Sequence, residues 1–581
     1  SGQLQYIDKE FVGEREFFVP RIINQVNLGT RGTETVERIF PKSGDNSAVS
    51  AYLGIKLAQQ SPTAIFCGTK AIITSICKTL VDYYSRGLEM PPPIVKSDKQ
   101  ELSKIASLSR MHFEDNSIFP KAIDLGILPH GSNIPNGLRV SAEWSMENNK
   151  ASLVVCTSTL AQGVNLPIKY LIISNTAQGI NKISTRDFHN LIGRAGRSGY
   201  HTEGSVIFAN TKLYDERLTW AGEKRWQEVR ALLDPSNSED CVSSLKLLIE
   251  PIIVGNQKLK AIKFIKNPSK YRKLCLKAAR KNGVTGQDLN DLLFDLNSKQ
   301  KTINALESYM MSFLKDASND NNETVFLDLA QGTLAHHLCS EKEKLLLIEA
   351  FELIYQSVIN IEPEKLSFYG KALLGIEDLI FIEEWLEENY EYLCAQEDIF
   401  QLFKRIWPLL LDVCKNELFE KLSPLDMVLE SSCLWISGAS YSEIFNFMDK
   451  QKVKYQAGTQ SRKVTMDQVV KYTDNTLGYD AMLIVGALAD ICDGKYENED
   501  LEEGLKHLQN SLKLGLSDNF ELWLYSKGYV DREICKLLSR SFNEGRINIA
   551  NFENNILDEN SELVTKVMSK MPTYFSNITV K

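Results

Sequence analysis

Two short segments of this chain carry groups suited to phosphate. The first, residues 157–167 (TSTLAQGVNLP), follows the apolar run at residues 151–156 (ASLVVC). A strand ending in a threonine and a glycine-containing turn exposes a hydroxyl and backbone N–H groups at the C-terminal edge of a sheet. That is where open α/β folds hold ligands, and such amides suit anions. The second, Gly193-Arg194-Ala195-Gly196-Arg197, closes a run of helical spacing at residues 185–192. Two guanidiniums three residues apart share a face if that turn is helical. Each presents a planar donor fork that matches phosphate oxygens, and in phosphoryl transfer such a group stabilises transition-state charge. For the second segment standing alone, a surface arginine pair after a buried strand is the other, less favoured reading.

Strands and helices must alternate to position these groups. Residues 46–60 have helical spacing that Ser61-Pro62 breaks. Residues 63–67 (TAIFC) read as a short strand ending at Gly68-Thr69-Lys70, and residues 71–84 as an amphipathic helix. The Thr69-Lys70 turn at a helix N-terminus is either a phosphate site or a solvated turn. Residues 86–119, with Met90-Pro91-Pro92-Pro93, read as a loop or small insertion. Residues 125–131 give a strand and turn containing His130, residues 136–148 a helix containing Arg139, and residues 202–209 another strand. This alternation predicts a doubly wound parallel sheet. Ahead of it, residues 3–7 and 14–20 fit a short hairpin with its bend near Val12-Gly13.

Beyond residue 212 the pattern is helical. Residues 256–286 hold ten Lys or Arg and no acid, with Phe264 and Tyr271 interleaved. In a chain of net charge −9 this excess, centred on Lys270, Arg272 and Lys273, is a footprint for a polyanion; a solvated helix face is the other reading. Residues 300–470 are helical in period and mostly acidic. Residues 514–534 read as helix, glycine turn, helix, and residues 316–323 (DASNDNNE) as a polar mobile loop. The 581 residues predict three to five domains. Eleven scattered cysteines without a C-x-x-C pair argue for reduced thiols in a cytoplasmic protein and against a zinc ribbon. No long apolar run predicts a membrane span.

Taken in order, residues 157–167 and 187–197 resemble motifs V and VI of superfamily 2 helicases of the Ski-like branch, T-x-x-L-A-x-G-x-N-x-P followed by Q-x-x-G-R-A-G-R. Asn190 stands where the branch has Gln. His130, Ile134, Pro135 and Arg139 correspond to its His-containing turn and L-P-P-x-x-R, and residues 434–444 (LWISGASYSEI) to W-x-x-G-x-S-x-x-x-I of its C-terminal helical domain. The resemblance is firm over residues 46–210. It implies a RecA-like doubly wound parallel sheet followed by winged-helix-like and mostly α-helical domains. The expected division is a connector at 1–45, the second RecA-like lobe at 46–211, a winged-helix-like basic domain at 212–300, a ratchet-like helical domain at 301–470, and a helix-hairpin-helix-like domain at 471–581.

The resemblance also implies an ATP-dependent motor on a single strand, with DNA favoured over RNA. Arg194 and Arg197 are expected as catalytic fingers, and Gly163, Asn165, Asn190 and Gly193 as ATP contacts. Gly68, Thr69, Lys70, His130, Arg139, Thr157, Thr159, Lys270, Arg272 and Lys273 are expected along the nucleic acid. Neither G-x-x-x-x-G-K-[ST] nor a D-E-x-H or D-E-x-D box after an apolar strand occurs in the sequence, so ATP and Mg²⁺ are expected mainly on a first lobe outside this chain. Two alternatives stand beside the motor. One is a nucleic-acid-sensing helicase subunit of an antiphage defence complex that gates a nuclease; the other is a non-hydrolysing nucleic-acid-binding scaffold.

Overall fold

The computed structural model describes residues 3–7, 14–18, 23–42, 44–157, 166–178, 181–196, 203–239, 242–316, 324–396, 398–458, 460–550 and 552–578. The centre of its first half is a five-stranded, wholly parallel sheet of β1 (Thr63–Phe66), β2 (Ile127–His130), β3 (Leu153–Cys156), β4 (Tyr170–Ile173) and β5 (Ser205–Phe208). Its strand order is β5-β4-β1-β3-β2, and Thr63 lies opposite both Leu153 and Tyr170.

The strands are apolar without alternation because both faces are covered. Ala64, Phe66, Leu128, Val154, Cys156 and Leu171 point to one side, where they meet α3 (Lys99–Phe113) and α4 (Asn136–Glu147). Ile65, Ile127, Leu153, Val155 and Ile172 point to the other, against α1 (Asn46–Ala58) and α2 (Lys70–Ser85). The first of these cores runs on without a break into the C-terminal helices.

The structure corrects the reading of residues 86–119 as a loop. Asp98 caps α3 by accepting from the N–H groups of Gln100 and Glu101 at 3.0 and 3.1 Å. Leu102, Ile105, Ala106, Leu108, Ser109 and Phe113 are buried along the helix. Its many polar residues and the preceding proline run hide that stripe in the sequence.

The residue 3–7 and 14–18 segments pair as an antiparallel hairpin, with Gln3 opposite Phe18. After β5 come helices at Lys212–Asp215 and Trp220–Leu233, then a small hairpin (Ile252–Val254, Gln257–Leu259), α6 (Pro268–Lys281) and α7 (Gly286–Asp316). Helices follow, among them α8 (Leu425–Ile436), α9 (Tyr441–Lys450), α10 (Met466–Lys471) and α11 (Arg532–Glu544). A π-helix, Tyr472–Ala481, continues α10 directly into the helix Met482–Tyr496. A three-stranded sheet of Leu422–Ser423, Lys454–Ala457 and Gln460–Lys463 interrupts the helices, which the helical periodicity did not anticipate. Residues 317–323 of the expected mobile loop lie outside the described residues. Among the described cysteines only Cys394 is exposed and all are free thiols. No helix among the described residues is long and apolar enough to cross a membrane.

Candidate nucleic-acid interface

Strands β1, β2 and β3 end at one edge of the sheet, and polar residues follow each. After β1, Gly68 is buried while Thr69 and Lys70 are half-buried. Thr69 is extended (φ −143°, ψ 155°) and starts α2 without a side-chain cap bond. After β2 the chain turns through Gly131. A Cβ there would lie 2.9 Å from both Asn133 Oδ1 and Ile73 Cδ1, and 3.6 Å from Thr157 Oγ1, so the turn is built around a glycine. Thr157, buried after β3, donates its N–H to the His130 carbonyl at 3.1 Å. Gly68–Lys70, His130 and Thr157 therefore share one edge.

His130 is 1% exposed, and its Nε2 lies 2.6 Å from Glu143 Oε1 on α4. Arg139, one turn earlier on α4, is half-buried and donates from Nη2 to Asn136 Oδ1 at 3.1 Å. Its buried Nε has no hydrogen-bond partner among the described residues. The helical layer adds two groups that sequence reasoning missed. Asp467 on α10 accepts from Asn133 Nδ2 at 3.0 Å, and Lys471 is close enough to act on Lys70. Burial first, then the Lys471 charge, hold the Lys70 ammonium below its ordinary range; Arg139 acts the same way, against Asp467 and Asp474. Like charges gathered at a half-buried edge favour a polyanion. The Thr465 and Gln468 capping box marks where α10 begins, but no local signal says which surface it reaches.

The arginine motif lies elsewhere. α5 (Thr185–Ile192) begins at Ser184, whose side chain accepts from Asp187 N–H at 3.0 Å. Glu239 takes the N–H groups of Thr185 and Arg186 at 2.8 and 3.1 Å, and backbone donors led by that of Arg186 hold its carboxyl below the ordinary range. The helix ends at Ile192, with Asn190 and Gly193 exposed and Arg194 half-buried. Ala195 bridges in parallel to Ile168, and Gly196 donates its N–H to the Ile168 carbonyl at 2.9 Å. Gly196 has φ +69°, and a Cβ there would sit 2.3 Å from Gly204 N. The helical turn that would align Arg194 with Arg197 therefore stops short of Gly196. Arg197, Thr159, Gly163 and Asn165 lie outside the described residues.

Ile168 precedes β4, so Arg194 sits toward the N-terminal end of the sheet, opposite Thr69, Lys70 and Thr157. About 13 Å of strand separates the two ends at roughly 3.3 Å per residue. Asn190 and Arg194 bring amide and guanidinium groups of the kind that meet phosphate, while the Gly193 N–H is already donated to the His189 carbonyl at 2.9 Å. Among the described residues no group of three His, Cys, Asp or Glu is placed to hold a metal ion.

The basic segment forms a third surface, distinct from the sheet edge. Lys270 and Lys273 on α6 are exposed and Arg272 is half-buried. No acid lies within salt-bridge distance of these three among the described residues, while Cys275 and Ala279 turn the opposite face of α6 inward.

No family model matches the chain. It is 25% identical over 242 residues (41% of this chain, 21% of the relative) to the Hachiman protein HamB of Bacillus cereus. It is 26% identical over 214 residues (36% and 22%) to the Helicase POLQ-like of Caenorhabditis elegans, and 33% over 106 residues (16% and 16%) to the ATP-dependent DNA helicase Hel308 of Thermoplasma volcanium. The chain is a relative of the Ski-like superfamily 2 helicases. Its matches span about a fifth or less of the length of these relatives.

In this helicase relative, the residue 434–444 segment is a packing element. Trp435 is 2% exposed, donates Nε1–H to the Leu512 carbonyl at 2.8 Å, and stacks under the Arg532 guanidinium, 4.0 Å from its ring centroid. Gly438, at φ +90°, makes the turn into α9.

Proposed function

We propose that the chain contributes the second lobe and C-terminal domains of an ATP-dependent, Ski-like helicase or translocase that moves along a single strand. One observation carries this reading. Lys70, Arg139 and Thr157 gather where three parallel strands end, while Arg194 occupies the far end of the same sheet. A motor needs its strand and its nucleotide at separate places on one rigid body, so that closing on one shifts the other.

In this reading Arg194 and Arg197 meet the phosphates of ATP held on a first lobe, with Asn190, Gly193, Gly163 and Asn165 beside them. ATP supplies the phosphoryl transfer when bound, and Mg²⁺ sits with the first lobe. Gly68–Lys70, His130, Arg139, Thr157 and Thr159 line the strand, and Lys270, Arg272 and Lys273 take its phosphates from a winged-helix-like domain at 212–300. His130 contributes by fixing the end of β2, its ring held by Glu143 on α4 and its carbonyl taking the Thr157 N–H after β3. The division into a connector (1–45), lobe (46–211), basic domain (212–300), helical domain (301–470) and C-terminal helical domain (471–581) belongs to the same proposal; its borders at 300 and 470 fall inside helices. DNA is favoured because the relative Hel308 is named a DNA helicase.

The deciding experiment is ATP hydrolysis by this chain alone, with and without single-stranded DNA or RNA, and again with a first lobe supplied. Turnover only after the lobe is added supports the half-motor; strand-stimulated turnover by the chain alone overturns it. A complete motor that binds strand but never turns over would mark a scaffold. A second reading, a nucleic-acid-sensing helicase subunit of an antiphage defence complex that gates a nuclease, draws on the similarity to the Hachiman protein HamB. Strand-dependent nuclease activity in a co-purified complex tests it.

A further inference from the structure

We infer that the hairpin of β6 (Lys454–Ala457) and β7 (Gln460–Lys463) is a second phosphate-backbone contact, continuous with the sheet edge. This inference rests on the nucleic-acid reading above. Residues 450–463 carry Lys450, Lys452, Lys454, Arg462 and Lys463 and no acid, within a region that is otherwise acidic. All but Lys454 are exposed, and only Lys463 makes an ion pair among the described residues, to Asp449 at 3.0 Å.

Two of these lysines occupy positions that cost the fold something. Lys454 lies directly opposite Lys463 across the two strands, and facing like charges destabilise a β-pair. Lys452 has φ +56°, just past the end of α9, where glycine is the favoured residue. Asp449 offsets the Lys463 side of the facing pair, but Lys452 and Lys454 have no ion pair among the described residues, and a bound polyanion neutralises both.

The hairpin is also in the right location. It feeds through Val464 and the Thr465 cap into α10, and two residues beyond that cap Asp467 accepts from Asn133 at the sheet edge. One turn further, Lys471 acts on Lys70. β7 is the outer strand of its sheet, and all four of its residues are exposed. Lysine and arginine along an outer strand discourage strand pairing with another protein while leaving the charges open to phosphate. The occupant is therefore the sugar–phosphate backbone of the strand held at the sheet edge, engaged without regard to sequence.

The test uses the full chain and a fluorescently labelled oligothymidylate, with affinity followed by anisotropy across a salt series. The triple variant Lys452→Gly, Lys454→Thr, Arg462→Gln removes three charges and relieves both unfavourable positions. Its Tm should equal or exceed that of the parent, while the plot of log K against log salt flattens by about 2, at roughly 0.7 per phosphate contact on a single strand. Weaker binding from a protein that is no less stable cannot come from unfolding. Parental binding with an unchanged slope in the variant overturns the hairpin contact and leaves the sheet-edge reading intact. Failure of the parent itself to bind any strand overturns both. Loss of polyglutamate binding without loss of strand binding would assign the hairpin to an acidic protein partner and overturn the inference.

Discussion

His112 Nε2 lies 2.9 Å from Asp531 Oδ2, and both side chains are 1% exposed. The pair fastens α3, beneath the sheet, to the start of α11. The other oxygen of Asp531 accepts from the N–H groups of Glu533 and Ile534 at 2.9 and 3.2 Å, so one carboxylate both caps a helix and bridges two layers. A glycine admits it: a Cβ on Gly137 of α4 would lie 2.2 Å from Asp531 Oδ2.

Asp531→Asn should therefore be costly and its cost should depend on pH. Burial pushes the Asp531 carboxyl up, but His112 and the two amides outweigh it and hold the group below the ordinary range. A carboxyl lowered in the fold stabilises above its unfolded pKa, near 4, and that contribution is lost as pH falls through the folded value. Urea unfolding at neutral pH should find the variant weaker by about 3 kcal/mol, since the carboxylate's bonds to the imidazole and to two backbone amides are lost in a buried site. The deficit should shrink on acidification; an equal deficit at acid pH would refute the buried-carboxylate account.

Glu307 should behave in the opposite sense. It accepts from Ile376 N–H at 3.0 Å, yet burial, partly opposed by that amide, pushes its carboxyl up to about 7. The fold keeps a proton that the unfolded chain releases, so stability falls as pH rises from the ordinary value of 4.5 to about 7 and stays lower above it. Glu307→Gln should raise Tm at pH 8 by an amount equivalent to up to roughly 3 kcal/mol, at about 1.4 kcal/mol per pH unit. Near pH 5 the two proteins should melt together. A variant no more stable at pH 8 would count against the buried acid.

Arg194→Ala and Arg197→Ala, each in a motor completed by a first lobe, should lower turnover by about 10³ or more and leave strand affinity within about twofold. Single-turnover hydrolysis and strand anisotropy measured on one preparation separate these effects. Equal loss of both activities would remove the finger assignment.

Charge reversal at Lys270, Arg272 and Lys273 should flatten the salt dependence of strand binding by at least about 2 in slope, at roughly 0.7 per phosphate contact. Tm should stay the same for the exposed pair, whose side chains hold no ion pair among the described residues. An unchanged slope would make α6 a solvated face.

The sheet was legible because each strand is a short apolar run closed by a turn, and a parallel sheet covered on both faces leaves that mark. The helix α5 was legible to the residue, since Ser184 and Gly193 bracket it. α3 was not, because its buried stripe is interleaved with Lys, Gln, Glu and Ser beyond a proline run. The hairpin at residues 454–463 was hidden in the same way, since a strand whose residues are polar on both faces has no hydrophobic period. At the site, Thr69, Lys70 and Thr157 could be found from strand ends alone. Asn133, Asp467 and Lys471 could not, because they meet through packing between segments that lie hundreds of residues apart.

The contacts of α3 also bear on how the chain folds as it is made. Glu101 receives the N–H of Thr573 at 2.9 Å from 472 residues downstream, and His112 receives its partner from 419 residues downstream. The lobe can assemble its sheet early, but this helix keeps an unfinished apolar flank until the segments 419 to 472 residues downstream have been synthesised. At about 5–20 residues per second that wait is on the order of tens of seconds. Over that interval the nascent lobe is a substrate for chaperones, and any truncation that removes α11 makes the exposure permanent.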